Sequence, residues 1–281
     1  MKPWRNMTAS AALPVSMVEK PWGRTQLPPP FFSQTDQKIG EIWFESPADL
    51  RDLLVKYIFT SEKLSVQVHP SDAQTRAAGL GQQGKEECWL IIAADAGATI
   101  GIGFDAPLAT AAMRDAALDG SIEQLMRWYP VSAGDFFYIP SGTVHAIGAG
   151  VSLIEIQQNS DITYRLFDYG RPRELHLDAG LAVAKGEVYD GNLHRKLPEI
   201  GSISVVTSPY FRLDRVMGRA GAKLALAYAS GPVMVIPLTD SLEIGGETIS
   251  AGECAMAQTI DAVQCADNAL WLAVQPCERP A

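Results

Sequence analysis

A chain of 281 residues with 47% hydrophobic and 20% charged residues has the composition of a soluble globular protein that can bury a sizeable core. Its 23 basic and 32 acidic residues leave a formal charge of −9, which argues against nucleic acid or an anionic membrane surface as the main partner. An anionic substrate would therefore need a local basic pocket.

The N-terminal residues and the cysteines bear on the compartment. Lys2 and Arg5 precede a mildly apolar run, but a proline interrupts it, so we expect neither a signal peptide nor a transmembrane span. The four cysteines lie far apart and include no Cys-x-x-Cys pair, which disfavours a thiolate zinc site or a disulfide scaffold. We expect a reduced, cytoplasmic chain, whose oligomeric state the sequence leaves open.

The opening of the chain is loop-rich, because the proline-rich stretch at 26–32 excludes a regular helix or a central strand. Ser46 and Pro47 then have the residue types of an N-cap and a first helical position. Three leucines follow at helical spacing, so this pattern predicts a helix that ends near Lys56.

Further along, the chain changes to short apolar runs that are broken by Gly, Pro and Asp: LSVQVH, CWLIIA, TIGIGF, DFFYIP, HAIGA and VSLIEIQ. This spacing predicts an all-β sandwich or barrel. Between Phe104 and Tyr129 the apolar residues return to helical spacing and are split by Asp119-Gly120. The sequence therefore predicts a helical insertion near 105–129, between two strands.

An internal repeat relates SAGDFFYIPSGTVHAI at 132–147 to SAGECAMAQTIDAVQC at 250–265. Such self-similarity indicates two related β-units. In the shared register His145 is replaced by Val263, so the second unit has no visible set of metal ligands.

The segment SVQVHPSD at 65–72 alternates apolar with polar side chains, so Gln67 and His69 point to the same face of a strand. A strand histidine is more often a satisfied core or surface group than a ligand. This pair alone therefore does not establish a metal site.

A second histidine follows a turn in GDFFYIPSGTVH, where Gly134, Pro140, Gly142 and His145 have a regular spacing. Glycine and proline form a tight turn, and the strand after it delivers the histidine inward. This spacing resembles the second motif of the cupins, small β-barrels whose mouth holds a metal, although Ala149 stands where Asn is usual. The first cupin motif ordinarily contains His-x-His and then Glu, whereas here the first histidine of that pair is a glutamine.

With this glutamine in the first motif, the chain resembles one family, the type I mannose-6-phosphate isomerases (phosphomannose isomerases) of the cupin superfamily. The similar runs are SVQVHPSD, GKEECW, GTVHAIG, EIQQNSDITYRLFDYGR, IGEIWFES, LVKYIF and RELHLD, and they cover most of residues 19–185. The resemblance implies a mainly β fold: a cupin-type β-barrel or jelly roll with a helical insertion, plus a degenerate cupin-like β-unit. We place the catalytic cupin domain at 1–200 and the degenerate, metal-free domain at 201–281.

The resemblance also implies which residues form the site. It assigns a zinc ion to four ligands, namely Gln67, His69, Glu87 and His145. Two nitrogen and two oxygen donors suit zinc, and a site without thiolates that leaves room for substrate is expected to be catalytic. Neighbouring strand residues face opposite ways, so Glu86 cannot join Glu87 on the ligand face.

For catalysis, the resemblance places Arg165, Glu155 and Lys85 in the pocket. Arg binds phosphate or an enediolate oxygen through a bidentate fork, and Arg171 is a further candidate cation. The structural alternative for Arg165 is a surface salt bridge. Either Glu155 or Lys85 could be the base, and the sequence does not choose between them.

The activity implied is the reversible interconversion of mannose 6-phosphate and fructose 6-phosphate through an enediol, with a small sugar phosphate as the partner and neither nucleic acid nor membrane. Two alternatives remain open. An iron cupin oxygenase would use three histidines, or two with a carboxylate, and Gln67 fits that role poorly. A non-catalytic sugar-binding cupin would not need the Lys85 and Arg165 that this chain retains.

Overall fold

The structure is a computed structural model that describes residues 11–32 and 36–277. Lys2 and Arg5, on which the expectation about a signal peptide rests, lie outside the described residues, as do the two ends of the predicted domains, 1–10 and 278–281. Among the described residues, every helix is too short or too polar to cross a membrane.

The chain divides into two compact units. The larger unit contains residues 16–43 and 52–199, and the smaller unit contains 11–15, 44–51 and 200–277 of the described chain. The strands form four sheets, and none of these sheets closes into a barrel within the described residues. The expectation of a mainly β fold is confirmed, while the assignment of a degenerate cupin-like domain at 201–281 stays a prediction.

The strands of the larger unit include all six apolar runs that the sequence singles out. In chain order they are β1 (Val15–Arg24), β2 (Ile39–Phe44), β3 (Leu53–Phe59), β4 (Val66–Val68), β5 (Glu87–Ala94), β6 (Thr99–Phe104), β7 (Met126–Pro130), β8 (Asp135–Ile139), β9 (His145–Ile147), β10 (Val151–Gln158), β11 (Tyr164–Phe167) and β12 (His194–Lys196). A seven-stranded sheet has the order β1-β2-β3-β10-β5-β8-β12, and a five-stranded sheet has the order β11-β4-β9-β6-β7.

These two sheets pack face to face over one apolar core. Ile58 and Phe137 come to this core from the seven-stranded sheet, and Ile100 and Ile147 come from the five-stranded sheet. Two antiparallel sheets that share a core form the sandwich that short strands with inward apolar residues predict. The polar site described below lies between the same two sheets.

The helices are short and lie between strands. They are α1 (Asp72–Ala77), α2 (Thr110–Asp119), α3 (Ile122–Leu125), α4 (Leu177–Val183) and α5 (Ala222–Ala227), with 3-10 turns at Ala48–Leu50, Gly191–Leu193 and Ile260–Ala262. Ser71 caps α1 in a reciprocal capping box with Gln74.

The insertion near 105–129 contains α2 and α3, which Gly120 separates in a left-handed conformation with φ of 84°. Its apolar face includes Met113, which packs beneath the five-stranded sheet. The insertion ends earlier than the sequence predicts, because Met126 begins strand β7 instead of ending the helix.

The predicted helix from Ser46 to Lys56 is wrong. The structure has a single 3-10 turn at Ala48–Leu50 and then strand β3, whose seven residues are all buried. The run LLVKYIF is paired with β2 and β10 along its two edges, and side chains on both of its faces are buried, so leucines at helical spacing occur there by coincidence.

The smaller unit is a second pair of sheets. Its strands are β13 (Ile203–Thr207), β14 (Phe211–Met217), β15 (Val233–Pro237), β16 (Ser241–Ile244), β17 (Glu247–Ser250), β18 (Ala255–Ala257), β19 (Gln264–Cys265) and β20 (Leu270–Pro276). They form sheets of order β13-β14-β20-β15-β18 and β17-β16-β19. Val263 is buried in their apolar core beside Trp271.

Candidate active site

A row of three polar residues crosses the five-stranded sheet. Gln67 of β4 is paired with Arg165 of β11 on one side and with His145 of β9 on the other. Residues that are directly paired on neighbouring strands share one face of the sheet. The Arg165–Gln67–His145 row therefore points in one direction, although its members are up to 98 residues apart in the chain.

A second row crosses the seven-stranded sheet. Glu155 of β10 is paired with Lys56 of β3 and with Trp89 of β5. Lys56 Nζ lies 3.1 Å from Glu155 Oε1, and Trp89 Nε1 donates to Glu155 Oε2 at 3.2 Å. The Trp89 ring meets the ring of His145 edge-on at 5.4 Å. The two rows thus face each other across the interior of the larger unit.

Three ligand-type side chains converge beside these rows. The ligand atoms of His69, Glu87 and His145 all lie within 4.8 Å of one another, and the three residues are buried. His69 Nε2 is 3.6 Å from one Glu87 oxygen, and His145 Nε2 is 3.4 Å from the other. The group can hold a metal ion, and within the described residues it is the one cluster of this kind that has three such side chains.

The hydrogen bonds of both histidines orient their rings toward this centre. His69 Nδ1 is 2.8 Å from the carbonyl of Ile162, and His145 Nδ1 is 2.9 Å from the carbonyl of Thr143. A ring that donates through Nδ1 to a carbonyl keeps an unprotonated Nε2, and this is the usual support of a metal-ligating histidine.

Several buried polar atoms at this centre have no hydrogen-bond partner. They are His69 Nε2 and both carboxylate oxygens of Glu87. Lys85 Nζ forms an ion pair with Glu87 Oε2 at 2.9 Å, so His69 Nε2 and Glu87 Oε1 are the two acceptors that also lack a close cation. Because buried acceptors without partners are costly, a cation between His69 Nε2 and Glu87 Oε1 is the simplest way to satisfy both.

Gln67 is the fourth residue that the resemblance assigns to the metal. Its Nε2 lies 3.2 Å from His145 Nε2, and its Oε1 is 3.2 Å from the hydroxyl of Ser65. The two ends of a carboxamide are nearly equal in shape, so a flip of the amide presents Oε1 to the group instead. Gln67 thus has the position of a fourth donor.

Burial sets the charge of the two histidines. It lowers the pKa of His145 to about 4, and it lowers the pKa of His69 well below its usual value, with the charge of Lys85 adding to this effect. Both imidazoles are therefore neutral near pH 7, which is the form that binds metals.

Two lysines and two glutamates form a buried chain of charges. Lys56 contacts Glu155, while Lys85 lies 3.8 Å from Glu155 and 2.9 Å from Glu87. Burial opposes the charge of Lys85, but the carboxylates of Glu155 and Glu87 raise its pKa overall. Burial lowers the pKa of Lys56 in spite of Glu155. The two lysines are thus distinct: Lys85 stays firmly charged, whereas Lys56 gives up its proton more easily.

The two glutamates also differ. Burial alone would raise the pKa of Glu155, but Lys85 and Lys56 hold it below its usual range. Burial and the neighbouring charge of Glu155 raise the pKa of Glu87. A cation bound between the histidines would reverse that effect and keep Glu87 ionised.

A cavity of about 320 Å³ opens beside both rows. Its cationic lining comes from Lys20, Lys56, Lys85, Arg165 and Arg173, and its anionic lining comes from Glu41, Glu155 and Asp161. Trp22 and Trp43 add aromatic surface. This is the local basic pocket that an anionic substrate of an acidic protein needs.

The cations of this cavity differ in how they are paired. Arg173 binds both oxygens of the buried Asp168 at 2.6 Å, and Lys20 lies 3.3 Å from Glu41. Arg165 forms no ion pair with any of the described residues, which disfavours the surface salt bridge. Partial burial and the charge of Arg173 lower the pKa of Arg165, and an anion bound in the cavity would offset both effects.

Arg171 does not line this cavity. Its guanidinium contacts Asp168 and Glu62 at 3.1 Å and donates to the carbonyl of Lys63. The other sequence-predicted residues, Lys85, Glu155 and Arg165, do line the cavity together with Gln67.

Similar proteins of known name match half of this chain or more. No protein-family model matches it. A mannose-6-phosphate isomerase of Streptococcus mutans is 42% identical over 149 residues, which are 51% of this chain and 46% of the relative, so the match spans about half the length of that protein. GmuF of Bacillus subtilis, named a probable mannose-6-phosphate isomerase, is 32% identical over 214 residues, which are 70% of this chain and 68% of the relative. This chain belongs to the mannose-6-phosphate isomerase family.

The fold agrees with membership of the mannose-6-phosphate isomerase family. The crystal structure of the mannose 6-phosphate isomerase from Bacillus subtilis superposes with a TM-score of 0.75 and 23% identity, over 94% of this chain and 98% of that chain. The family that the sequence motifs resemble is thus confirmed.

Sequence reasoning missed three cationic residues of the cavity: Lys56, Arg173 and Lys20. Lys56 was missed because it was assigned to the end of a helix. A lysine inside the apolar run LLVKYIF was the available signal, since a charge in a fully buried strand requires a partner. Arg173 and Lys20 had no such signal, because only the folded chain brings them to the cavity.

Proposed function

We propose that this chain interconverts an aldose 6-phosphate and a ketose 6-phosphate, namely mannose 6-phosphate and fructose 6-phosphate, through an enediol. The observation that carries the proposal is the convergence of His69, Glu87 and His145 next to a cation-lined cavity. Membership of the mannose-6-phosphate isomerase family supports it.

Zinc is the metal that we propose, held by Gln67, His69, Glu87 and His145. The buried acceptors without partners and the neutral imidazoles fit a divalent cation, and the donor set lacks thiolates. When bound, zinc supplies a Lewis acid that polarises the carbonyl and hydroxyl oxygens of the sugar. Two histidines with one carboxylate would also suit iron, but a fourth donor at Gln67 favours zinc. The cations that line the cavity favour a sugar phosphate as the substrate.

Proton transfer requires a base beside the sugar, and Lys56 and Glu155 form a hydrogen-bonded pair on the cavity wall. The base removes the proton from C2 of the aldose and returns it to C1, while the proton of the C2 hydroxyl passes to O1. A base works best when its pKa is close to the working pH. Burial lowers the pKa of Lys56 in that direction, whereas the pKa of Glu155 is moved away from it. We therefore assign proton transfer to Lys56, with Glu155 as its hydrogen-bond partner.

Charge develops on the sugar oxygens as the enediol forms, and fixed cations lower the free energy of that state. Lys85 is held between Glu155 and Glu87, so it is a positioned charge rather than a base. Arg165 has no ion pair to break within the described residues and lies in the same row as Gln67. Arg165 therefore binds either the enediolate oxygen or the phosphate of the sugar.

A coupled assay with zinc-loaded protein tests the function. We expect fructose 6-phosphate to form from mannose 6-phosphate, and other aldose 6-phosphates define the preference. In deuterium oxide, recovered mannose 6-phosphate should carry deuterium at C2. Absence of ketose formation would refute the proposed isomerase activity, and oxygen uptake with bound iron would favour the oxygenase instead.

A further inference from the structure

Glu86 immediately precedes Glu87, the first residue of strand β5, and its carboxylate contacts strand β8 and the turn after it. There it accepts a hydrogen bond from the hydroxyl of Tyr138 and another from the hydroxyl of Ser141 at 3.3 Å. Glu86 does not line the cavity, yet two donors from one neighbouring segment hold it.

Those donors belong to the segment that carries His145. Tyr138 lies in strand β8, and Ser141 lies in the turn at 140–144 that joins this strand to β9. The next residue of the turn, Gly142, donates its N–H to the carbonyl of His69 at 2.8 Å. The turn before His145 is thus hydrogen-bonded to Glu86, the neighbour of Glu87, and to His69.

We infer that Glu86 is a positioning residue for the metal centre: it fixes the turn that carries His145 against the strand that carries Glu87. This inference rests on the proposed function, because it assigns to Glu86 the spacing of zinc ligands. Metal ligands must be placed within about 0.2 Å of their ideal distances, so a turn that is free to shift weakens binding.

Removal of the carboxylate takes the acceptor Glu86 away from the hydroxyls of Tyr138 and Ser141. Tyr138 and Ser141 are each only 8% exposed, so water does not easily replace the lost acceptor. The turn would then move to recover hydrogen bonds, and His145 would move with it. Glutamine has a side chain of the same length and keeps one acceptor oxygen, so Glu86→Gln should still hold the turn in part.

The test is a zinc titration of the full chain in competition with a chelator. We expect Glu86→Ala to weaken zinc binding about 10- to 100-fold, the range found when partners of metal ligands are removed. Glu86→Gln should lie between this variant and the wild type. Glu187→Ala, which removes an exposed carboxylate of the same unit, should leave affinity unchanged.

General destabilisation is separated from positioning by two further measurements. Val151→Ala removes methyl groups from the core of the same unit, so it should lower the Tm of the metal-free chain without a matching loss of affinity. Tyr138→Phe removes one donor, and its effect on affinity should be less than additive with Glu86→Ala.

The outcomes are distinct. If the wild type binds zinc and Glu86→Ala binds it equally tightly, the positioning role is overturned. The positioning role is also overturned if Glu86→Ala and Val151→Ala lower the Tm equally and weaken zinc binding by the same factor. If the wild type itself binds no zinc, the proposed function fails before Glu86 is tested.

Discussion

Lys56 lies in the middle of a strand whose seven residues are all buried, and this position is costly for a charged side chain. Its contacts explain how the fold tolerates it. Nζ lies 2.7 Å from Gln157 Oε1 and 3.1 Å from Glu155 Oε1, and it sits 4.4 Å from the centroid of Trp43. A buried cation that contacts both a carboxylate and the cavity points to a function beyond stability.

We predict that Lys56→Met lowers turnover by about a hundredfold or more, because proton transfer is lost while the volume of the side chain is kept. Glu155 retains Trp89 and Lys85, so we expect a loss of about 3 kcal/mol in the free energy of unfolding, the lower end for a broken buried pair. Steady-state kinetics and urea denaturation measure the two effects.

Lys38→Met is the control, since Lys38 forms an exposed ion pair with Glu62. It should change the free energy of unfolding by less than about 1 kcal/mol and leave turnover intact. Normal turnover in Lys56→Met would remove Lys56 from the mechanism.

We predict that Arg165→Ala lowers turnover by about a hundredfold or more while zinc stays bound, because the enediolate loses its cation. A role confined to the phosphate would instead raise KM. Arg171→Ala is matched to it, since Arg171 pairs with Asp168 and Glu62 outside the cavity and should affect stability rather than turnover. Near-normal turnover and KM in Arg165→Ala would exclude both roles.

At the scale of elements, the turn at 140–144 depends on a glycine. Gly142 has a φ of 83°, and a Cβ added there would lie 2.9 Å from the carbonyl oxygen of Val183 in α4. Both features disfavour any side chain, since a positive φ strains L-residues and a backbone oxygen cannot move aside easily.

We predict that Gly142→Ala lowers the free energy of unfolding by about 3 kcal/mol, which combines left-handed strain with the contact to Val183. Gly97→Ala isolates the strain, because Gly97 has a φ of 79° and no atom within 4 Å of its added Cβ. That control should cost about 1 kcal/mol. Chemical denaturation of both variants measures the difference, and equal losses would contradict a role for the contact.

Much of this site could be predicted from short patterns. The alternation in SVQVHPSD places Gln67 in a strand, and the Gly-Pro-Gly spacing before His145 predicts the turn that the structure contains. Both patterns are local, because side-chain direction in a strand and the conformation of a turn depend on a few neighbouring residues.

The remainder could not be predicted, because it depends on pairing between distant strands. Glu155 meets Lys56 across 99 residues, and no local pattern fixes that register. The helix predicted up to Lys56 failed for the same reason, since neighbouring strands on both sides decide the conformation of LLVKYIF.

At the scale of the whole molecule, the ligand types are unevenly divided. All four histidines of the chain, namely His69, His145, His176 and His194, belong to the larger unit. Val263 takes the repeat position of His145 in the smaller unit and lies in an apolar core. The larger unit thus holds every imidazole of the chain, whereas the position of the smaller unit that aligns with His145 is a buried valine.

We predict that the purified chain binds one zinc ion, and that His145→Ala binds none and loses activity with it. The reason is that His69, Glu87 and His145 form the one group of three such ligands in the described residues. His194→Ala is the matched control: His194 stacks on Phe137 at 4.1 Å outside this group, so its loss should leave the zinc content at one. Elemental analysis of protein purified without added metal gives the count. Zinc retained by His145→Ala would show that the metal lies elsewhere, and a second equivalent would show an additional site. Residues 201–281 contain no histidine that could bind it.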